Sequence, residues 1–143
     1  MITNSRNIRR RTAGITILEI LVVLSIIAMI AAVAGPRLIS YLGRAKSETA
    51  ALQIKQLGSA VQLFYIDMGR YPTDSEGLAV LMQAPAGETA WKGPYMQTSE
   101  ALKDPWGRDY QYTAPTEGGE FGIVSFGRDG VQGGSGEDAD LSL

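Results

Sequence analysis

Between Phe126 and Asp140 the chain sets four carboxylates, Asp129, Glu137, Asp138 and Asp140, among five glycines. That combination suits a hard cation. Calcium takes six to eight oxygens from carboxylates and backbone carbonyls, and glycines let a loop curl so that several carbonyls turn inward. The spacing is not that of a twelve-residue EF-hand loop. The same composition also describes a flexible, solvated tail, so the pattern alone leaves calcium loop and disordered tail both standing.

Other chemistry is thin. The sequence has no histidine and no cysteine. Ser-His-Asp triads and His- or Cys-ligated zinc are therefore excluded, whereas Ser-Lys or carboxylate chemistry is not. A membrane-anchored, calcium-dependent hydrolase built on Asp104, Asp109 and Asp129 is the enzyme reading. Against it, Asp104 precedes Pro105 in a turn-like block, and neither a triad nor a phosphate loop is visible. One further acid stands out by its setting. Glu19 is the single charge in Ile15–Gly35, a run of twenty-one residues.

That run must position Glu19 in a membrane. As a helix it spans about 31 Å, enough for a hydrocarbon core of about 30 Å. Arg6, Arg9, Arg10 and Arg11 precede it, so the positive-inside rule keeps the N-terminus cytoplasmic and carries everything after Pro36 across. A secretory signal peptide is the ordinary alternative, but the run exceeds the usual 7–15 apolar residues. Neither a signal peptide nor a plain anchor has a use for Glu19. A carboxylate at the centre of a span costs about 2.5–3.5 kcal/mol, less near the interface, and usually marks a function.

Gly35-Pro36 should end or kink the span, yet the helical pattern resumes at once. Leu38, Leu42, Ala45, Ala50, Ile54, Leu57, Val61, Phe64 and Met68 form one apolar stripe, with Arg44, Lys46, Ser47, Glu48, Gln53, Lys55, Gln56 and Gln62 opposite. One long helix from Ile15 to about Asp67 follows, its first half in lipid and its second half packed on a head. Gly58 inside it implies close packing, and Gly69 suits the left-handed residue after the C-terminus. Thr73-Asp74-Ser75-Glu76 reads as a capping box for a short second helix carrying Leu78, Leu81 and Met82. Strands are predicted at Tyr110–Thr113 and Phe121–Phe126, joined through Glu117–Glu120 as a hairpin. Trp91, Tyr95, Trp106, Tyr110 and Tyr112 read as core and loop-fixing aromatics rather than a base-stacking platform. The fold class is α+β.

Composition narrows the partners. Thirteen basic residues face fifteen acidic ones, but four of the thirteen lie in residues 1–14. Beyond Gly14 nine basic residues stand against fifteen acidic, a net charge of −6. Such a balance argues against a nucleic-acid partner, whose phosphates need Lys and Arg.

At Gly14-Ile15-Thr16-Ile17-Leu18-Glu19 the sequence resembles the type IV pilin-like superfamily, and within it the major pseudopilins of type II secretion. Tyr71-Pro72-Thr73, Gly77-Leu78, Trp91-Lys92-Gly93-Pro94-Tyr95 and Asp104-Pro105-Trp106-Gly107 carry the closer resemblance, which spans Arg9 to Leu141. It implies that residues 1–14 are a leader removed by a prepilin peptidase, with cleavage after Gly14 and methylation of the new N-terminus at Ile15. Ile15 departs from the family's usual Phe. Residues 15–36 would be the transmembrane half of the helix and 37–143 a periplasmic head, on a single-pass protein of the bacterial inner membrane. The resemblance implies a structural subunit, not an enzyme, that leaves membrane lipid to polymerise with copies of itself into a filament driving export of folded proteins. Minor pseudopilins, an inner-membrane assembly platform and an ATPase would be its partners. A type IV or competence pilin is the nearest alternative, but those usually close their C-terminal region with a cysteine pair. The resemblance also implies calcium in the C-terminal loop, with side-chain oxygens from Asp129, Asp138 and Asp140 and carbonyls of Phe126, Val131 and Ser135, Glu137 competing. Calcium would then replace the missing disulfide, because metal-binding energy becomes folding energy when the open loop has no site.

Overall fold

The computed structural model of the chain describes residues 15–117 and 119–143. The order of elements is one long helix, α1 (Ile17–Met68), two short 3-10 helices (Gly77–Leu81 and Ser99–Leu102), strands β1 (Gln111–Thr113) and β2 (Gly122–Ser125), a 3-10 turn (Gly136–Asp138) and strand β3 (Leu141–Ser142). This is the expected pilin-like α+β arrangement. The chain divides into two compact units, residues 1–39 and 40–143.

In the first unit the described residues are 15–39. Thr16 caps the start of α1, its Oγ1 accepting from the Glu19 backbone N–H at 3.2 Å. The large apolar side chains from Ile17 to Val33 are all exposed. A helix apolar all round is stable only when lipid or other apolar helices cover it, and the length suffices for one membrane crossing. Ser25 donates its hydroxyl to the Leu21 carbonyl at 2.7 Å, which removes its polarity from the helix surface. Pro36 lies inside α1 and does not end it.

The second unit holds the core. Ile54, Leu57, Val61 and Phe64 bury one face of α1 against Leu78, Leu81, Tyr110, Phe121 and Ile123. The predicted stripe is thus confirmed from Ala50 onward, whereas Leu38, Ala45 and Leu42 are exposed. The opposite face differs as well: Leu52, Leu63 and Ile66 stand in solvent among the polar residues. Gly58 is buried, and a Cβ there would come 2.9 Å from Leu143 Cδ1, the close approach its position in the helix implied. Gly69, at φ +69°, ends α1.

Beyond α1 the turn chemistry follows the sequence. Glu76 Oε2 accepts from the Thr73 backbone N–H at 2.8 Å, and Thr73 Oγ1 accepts from the Glu76 N–H at 3.2 Å. The reciprocal bonds of the capping box are present, but they close the Thr73–Glu76 turn ahead of a five-residue 3-10 helix rather than capping an α-helix. The Arg70 guanidinium on Glu76 lowers that carboxyl to about 2. The sheet is antiparallel in the order β1-β2-β3, with Tyr112 opposite Ile123 and Ser125 opposite Leu141. β3 has no counterpart in the sequence expectations.

Four of the five aromatics fix loops, as expected, whereas the Trp106 indole N–H is buried without a hydrogen-bond partner among the described residues. Trp91 Nε1 donates to the Val80 carbonyl at 2.9 Å, Tyr95 to Asp67 at 2.9 Å, Tyr110 to Gln53 at 2.8 Å and Tyr112 to the Pro72 carbonyl at 3.0 Å. Each ring buries its body in the core while its polar end ties a loop or the helix down.

Candidate functional site: the membrane helix and the C-terminal loop

Two groups of predicted site residues are described, one in each unit. At the start of the first, Ile15 is exposed just ahead of α1, and Glu19 sits in the first helical turn. An acid there interacts favourably with the helix dipole. Among the described residues no cation is paired with the Glu19 carboxylate. Gly14, the predicted cleavage residue, lies outside the described residues.

The second group rests on Asp104. This carboxylate is buried, and Oδ1 accepts from the backbone N–H groups of Trp106 at 3.0 Å and Arg108 at 2.9 Å. Oδ2 accepts from the Ser125 hydroxyl at 2.8 Å. A side chain so engaged shapes the Asp104–Arg108 turn and anchors it to β2, directly before the C-terminal loop begins. Asp104→Ala should strand three donors and destabilise the second unit by about 2–4 kcal/mol, read as a lowered midpoint in urea unfolding. Asp109, by contrast, pairs with Lys103 on the surface at 2.8 Å.

The loop itself is folded on its own backbone. Gly130 N–H donates to the Phe126 carbonyl at 3.1 Å, Arg128 N–H to the Glu137 carbonyl at 2.8 Å and Asp138 N–H to the Ser135 carbonyl at 3.2 Å. Gly127, at φ +61°, is buried against residues 137–139, and a Cβ on it would lie 2.7 Å from the Glu137 oxygen. A Cβ on Gly134 would clash with the Asp138 carbonyl. Those two glycines are what allow the strands of the loop to touch.

All six proposed metal donors are in this loop, and five of them are engaged locally. Asp129 Oδ1 accepts from the Val131 N–H at 3.0 Å, and Asp140 Oδ2 accepts from the Gly133 N–H at 2.9 Å. Asp138 receives both of its hydrogen bonds from Arg128. The Phe126 and Ser135 carbonyls accept the backbone bonds already given, and Val131 is exposed. Among the described residues no three acidic side chains converge as a metal-binding group. The donor set is nonetheless all oxygen and strongly anionic, which is the chemistry calcium selects. Glu137 goes elsewhere. Its carboxylate lies across α1 at Gly43, where any Cβ would collide with it, and it stands 3.8 Å from Arg128.

Sequence reasoning passed over three participants. Gly43 is a glycine inside a helix, and that was the available signal. Arg128 is a lone cation within an acidic stretch, which also could have been noticed. Arg108 donates from one terminal nitrogen to the carbonyls of Gly127 and Arg128, a contact across twenty residues that no local pattern announces.

Comparison with known proteins agrees with this fold. Residues 37–143 match the family model described as type II secretion system (T2SS), protein G. The type II secretion system core protein G of Pseudomonas aeruginosa is 37% identical over 137 residues, covering 93% of this chain and 95% of that relative. Its counterpart in Xanthomonas campestris pv. campestris is 35% identical over 133 residues, covering 93% of this chain and 90% of that relative. Among solved structures, the major pseudopilin from the type 2 secretion system of enterohaemorrhagic Escherichia coli matches with a TM-score of 0.56 at 27% identity, covering 75% of this chain and 93% of that one. With an exposed apolar helix leading into a small α+β head, the chain belongs to the type II secretion system protein G family of structural pseudopilins.

Proposed function

We propose that this pseudopilus subunit is made as a single-pass inner-membrane precursor, N-terminus cytoplasmic and head periplasmic, and is cut after Gly14 by a prepilin peptidase that also methylates Ile15. It then leaves the lipid to join a helical, heterologous filament of its own copies, which stays open because one surface meets a different surface on the next copy. Minor pseudopilins, an inner-membrane platform and an ATPase act with it, and the chain itself has no catalytic role.

One observation carries this reading: a single acid in the first turn of α1, within a stretch from Ile17 to Val33 that is otherwise uncharged and whose large apolar side chains are all exposed. A lone carboxylate there needs a cation from outside the helix. The new amino terminus of Ile15 on a neighbouring subunit supplies one. Calcium binding in the loop of Phe126–Asp140 belongs to the same reading. Asp129, Asp138 and Asp140 would give carboxylate oxygens, and the carbonyls of Phe126, Val131 and Ser135 the neutral ones.

Processing is tested by intact mass. The wild-type chain should lose its first fourteen residues and gain one methyl group. Gly14→Phe should leave the precursor uncut in the membrane and stop secretion. Normal maturation of that variant, or an N-terminus beyond Ala34, would overturn the proposal. The filament role is tested by deleting the chain in its host: folded exoproteins should accumulate in the periplasm, and unimpaired secretion would refute it.

A further inference from the structure

The C-terminal loop carries one cation of its own among its acids, and a second reaches it from the Asp104–Arg108 turn. The Arg128 guanidinium meets Asp138 side-on, with Nε 2.9 Å from Oδ1 and one terminal nitrogen 2.9 Å from Oδ2. Its other terminal nitrogen is 3.8 Å from Glu137 Oε2. The Arg128 backbone N–H reaches the Glu137 carbonyl, so the same two stretches are joined twice, by main chain and by side chain. From the opposite side Arg108 donates to the carbonyls of Gly127 and Arg128. Gly130 leaves room for it, since a Cβ there would lie 2.9 Å from Arg108 Nε. Together these contacts tie the start of the loop to its end and to the Asp104–Arg108 turn, and they use neither Asp129 nor Asp140.

A bidentate guanidinium takes both oxygens of a carboxylate in charge-assisted bonds. A divalent cation asks for the same oxygens and meets a like charge at close range. Resting on the calcium reading above, we propose that Arg128, steadied from below by Arg108, is an internal latch that closes the C-terminal loop without metal and competes with calcium for Asp138. The Arg128 side chain is 56% exposed and can swing into water without disturbing the core. Calcium then binds only the unlatched fraction, and its apparent affinity falls by that fraction. The loop stays ordered when calcium is scarce and exchanges one cation for another when calcium rises.

The test uses the full chain in detergent micelles, as wild type, Arg128→Gln and Arg128→Lys. Calcium affinity is measured by calorimetric titration, and loop closure by limited proteolysis in chelator with cleavage sites mapped by mass spectrometry. Arg128→Gln should bind calcium about two- to fivefold more tightly than wild type, the range set by exposed ion pairs. In chelator it should be cut faster between residues 126 and 140. Arg128→Lys, which keeps the charge but loses the fork, should fall between the two. Added salt should narrow the affinity difference by screening the exposed pair. Equal or weaker calcium binding by Arg128→Gln overturns the competition. Equal cleavage of wild type and Arg128→Gln in chelator overturns the latch. If neither chain binds calcium, the calcium reading fails and the competition with it, while faster cleavage of Arg128→Gln would still uphold the latch.

Discussion

Glu19→Ala should leave the chain inserted in the membrane and abolish or sharply reduce filament assembly. Insertion survives because the substitution removes a charge that is costly in lipid, by about 2.5–3.5 kcal/mol at mid-span and less near the interface. Assembly fails for the opposite reason. In a filament core the Ile15 amine of one subunit would face the position of a neighbour's carboxylate in a low dielectric, where the pair is far stronger than in water. Deleting one partner of a buried pair costs about 3–5 kcal/mol, because the other charge is left alone. At each junction that is a loss of about two to three and a half orders of magnitude in association. The reading is filament yield by electron microscopy together with secretion in cells carrying the variant. Cleavage after Gly14 should continue, and methylation of Ile15 should fall only if the peptidase uses the same acid. A variant that assembles and secretes like wild type would show that Glu19 does not pair with a neighbour's N-terminus.

The parts of this molecule that were legible in its sequence are those set by local rules. The apolar run, the stripe from Ala50 to Phe64, the Thr73–Glu76 capping box, the left-handed Gly69 and the β1–β2 hairpin each depend on residues within a few positions of one another. What escaped depends on distance along the chain. β3 is only two residues long and pairs with β2 because the loop brings Leu141 opposite Ser125, so no alternation exists to betray it. The stripe failed at Leu42 because periodicity says which face could be buried but not how far the head extends along it. The short second helix tightened into 3-10 geometry, since five residues between the capping box and the turn at Met82 give little room for α-helical bonds.

The loop shows the same limit in its electrostatics. Composition identified the acids and glycines, but which cation sits on which acid was decided by folding. Arg128 reaches Asp138 across ten residues, and Arg108 reaches the loop across twenty. Glu137 was read as a competitor for metal and instead packs on α1 at Gly43. The tail therefore has internal partners that a count of charges could not reveal, and these set the terms on which a metal would bind.

Calcium should raise the melting temperature of the full chain in detergent micelles, and chelator should reverse the rise. A ligand bound only by the native state stabilises by RT ln(1 + [L]/Kd), about 2.7 kcal/mol at a hundredfold excess over Kd. For a head of about a hundred residues, 1 kcal/mol moves the midpoint by about 4–8 °C, so the full effect is large. Asp129→Ala should remove most of it, because it deletes a charged oxygen donor between Arg128 and Gly130. Asp109→Ala should leave it intact, since that side chain pairs with Lys103 outside the loop. Magnesium should substitute poorly, being smaller and stricter about octahedral geometry. The latch sharpens the expectation: with Arg128 holding Asp138, the chain in chelator should remain folded and cooperative, and the calcium shift should grow in Arg128→Gln. Equal melting in millimolar calcium and in chelator, for both wild type and Arg128→Gln, would remove calcium from the function of this loop and leave its arginines as the only cations that close it.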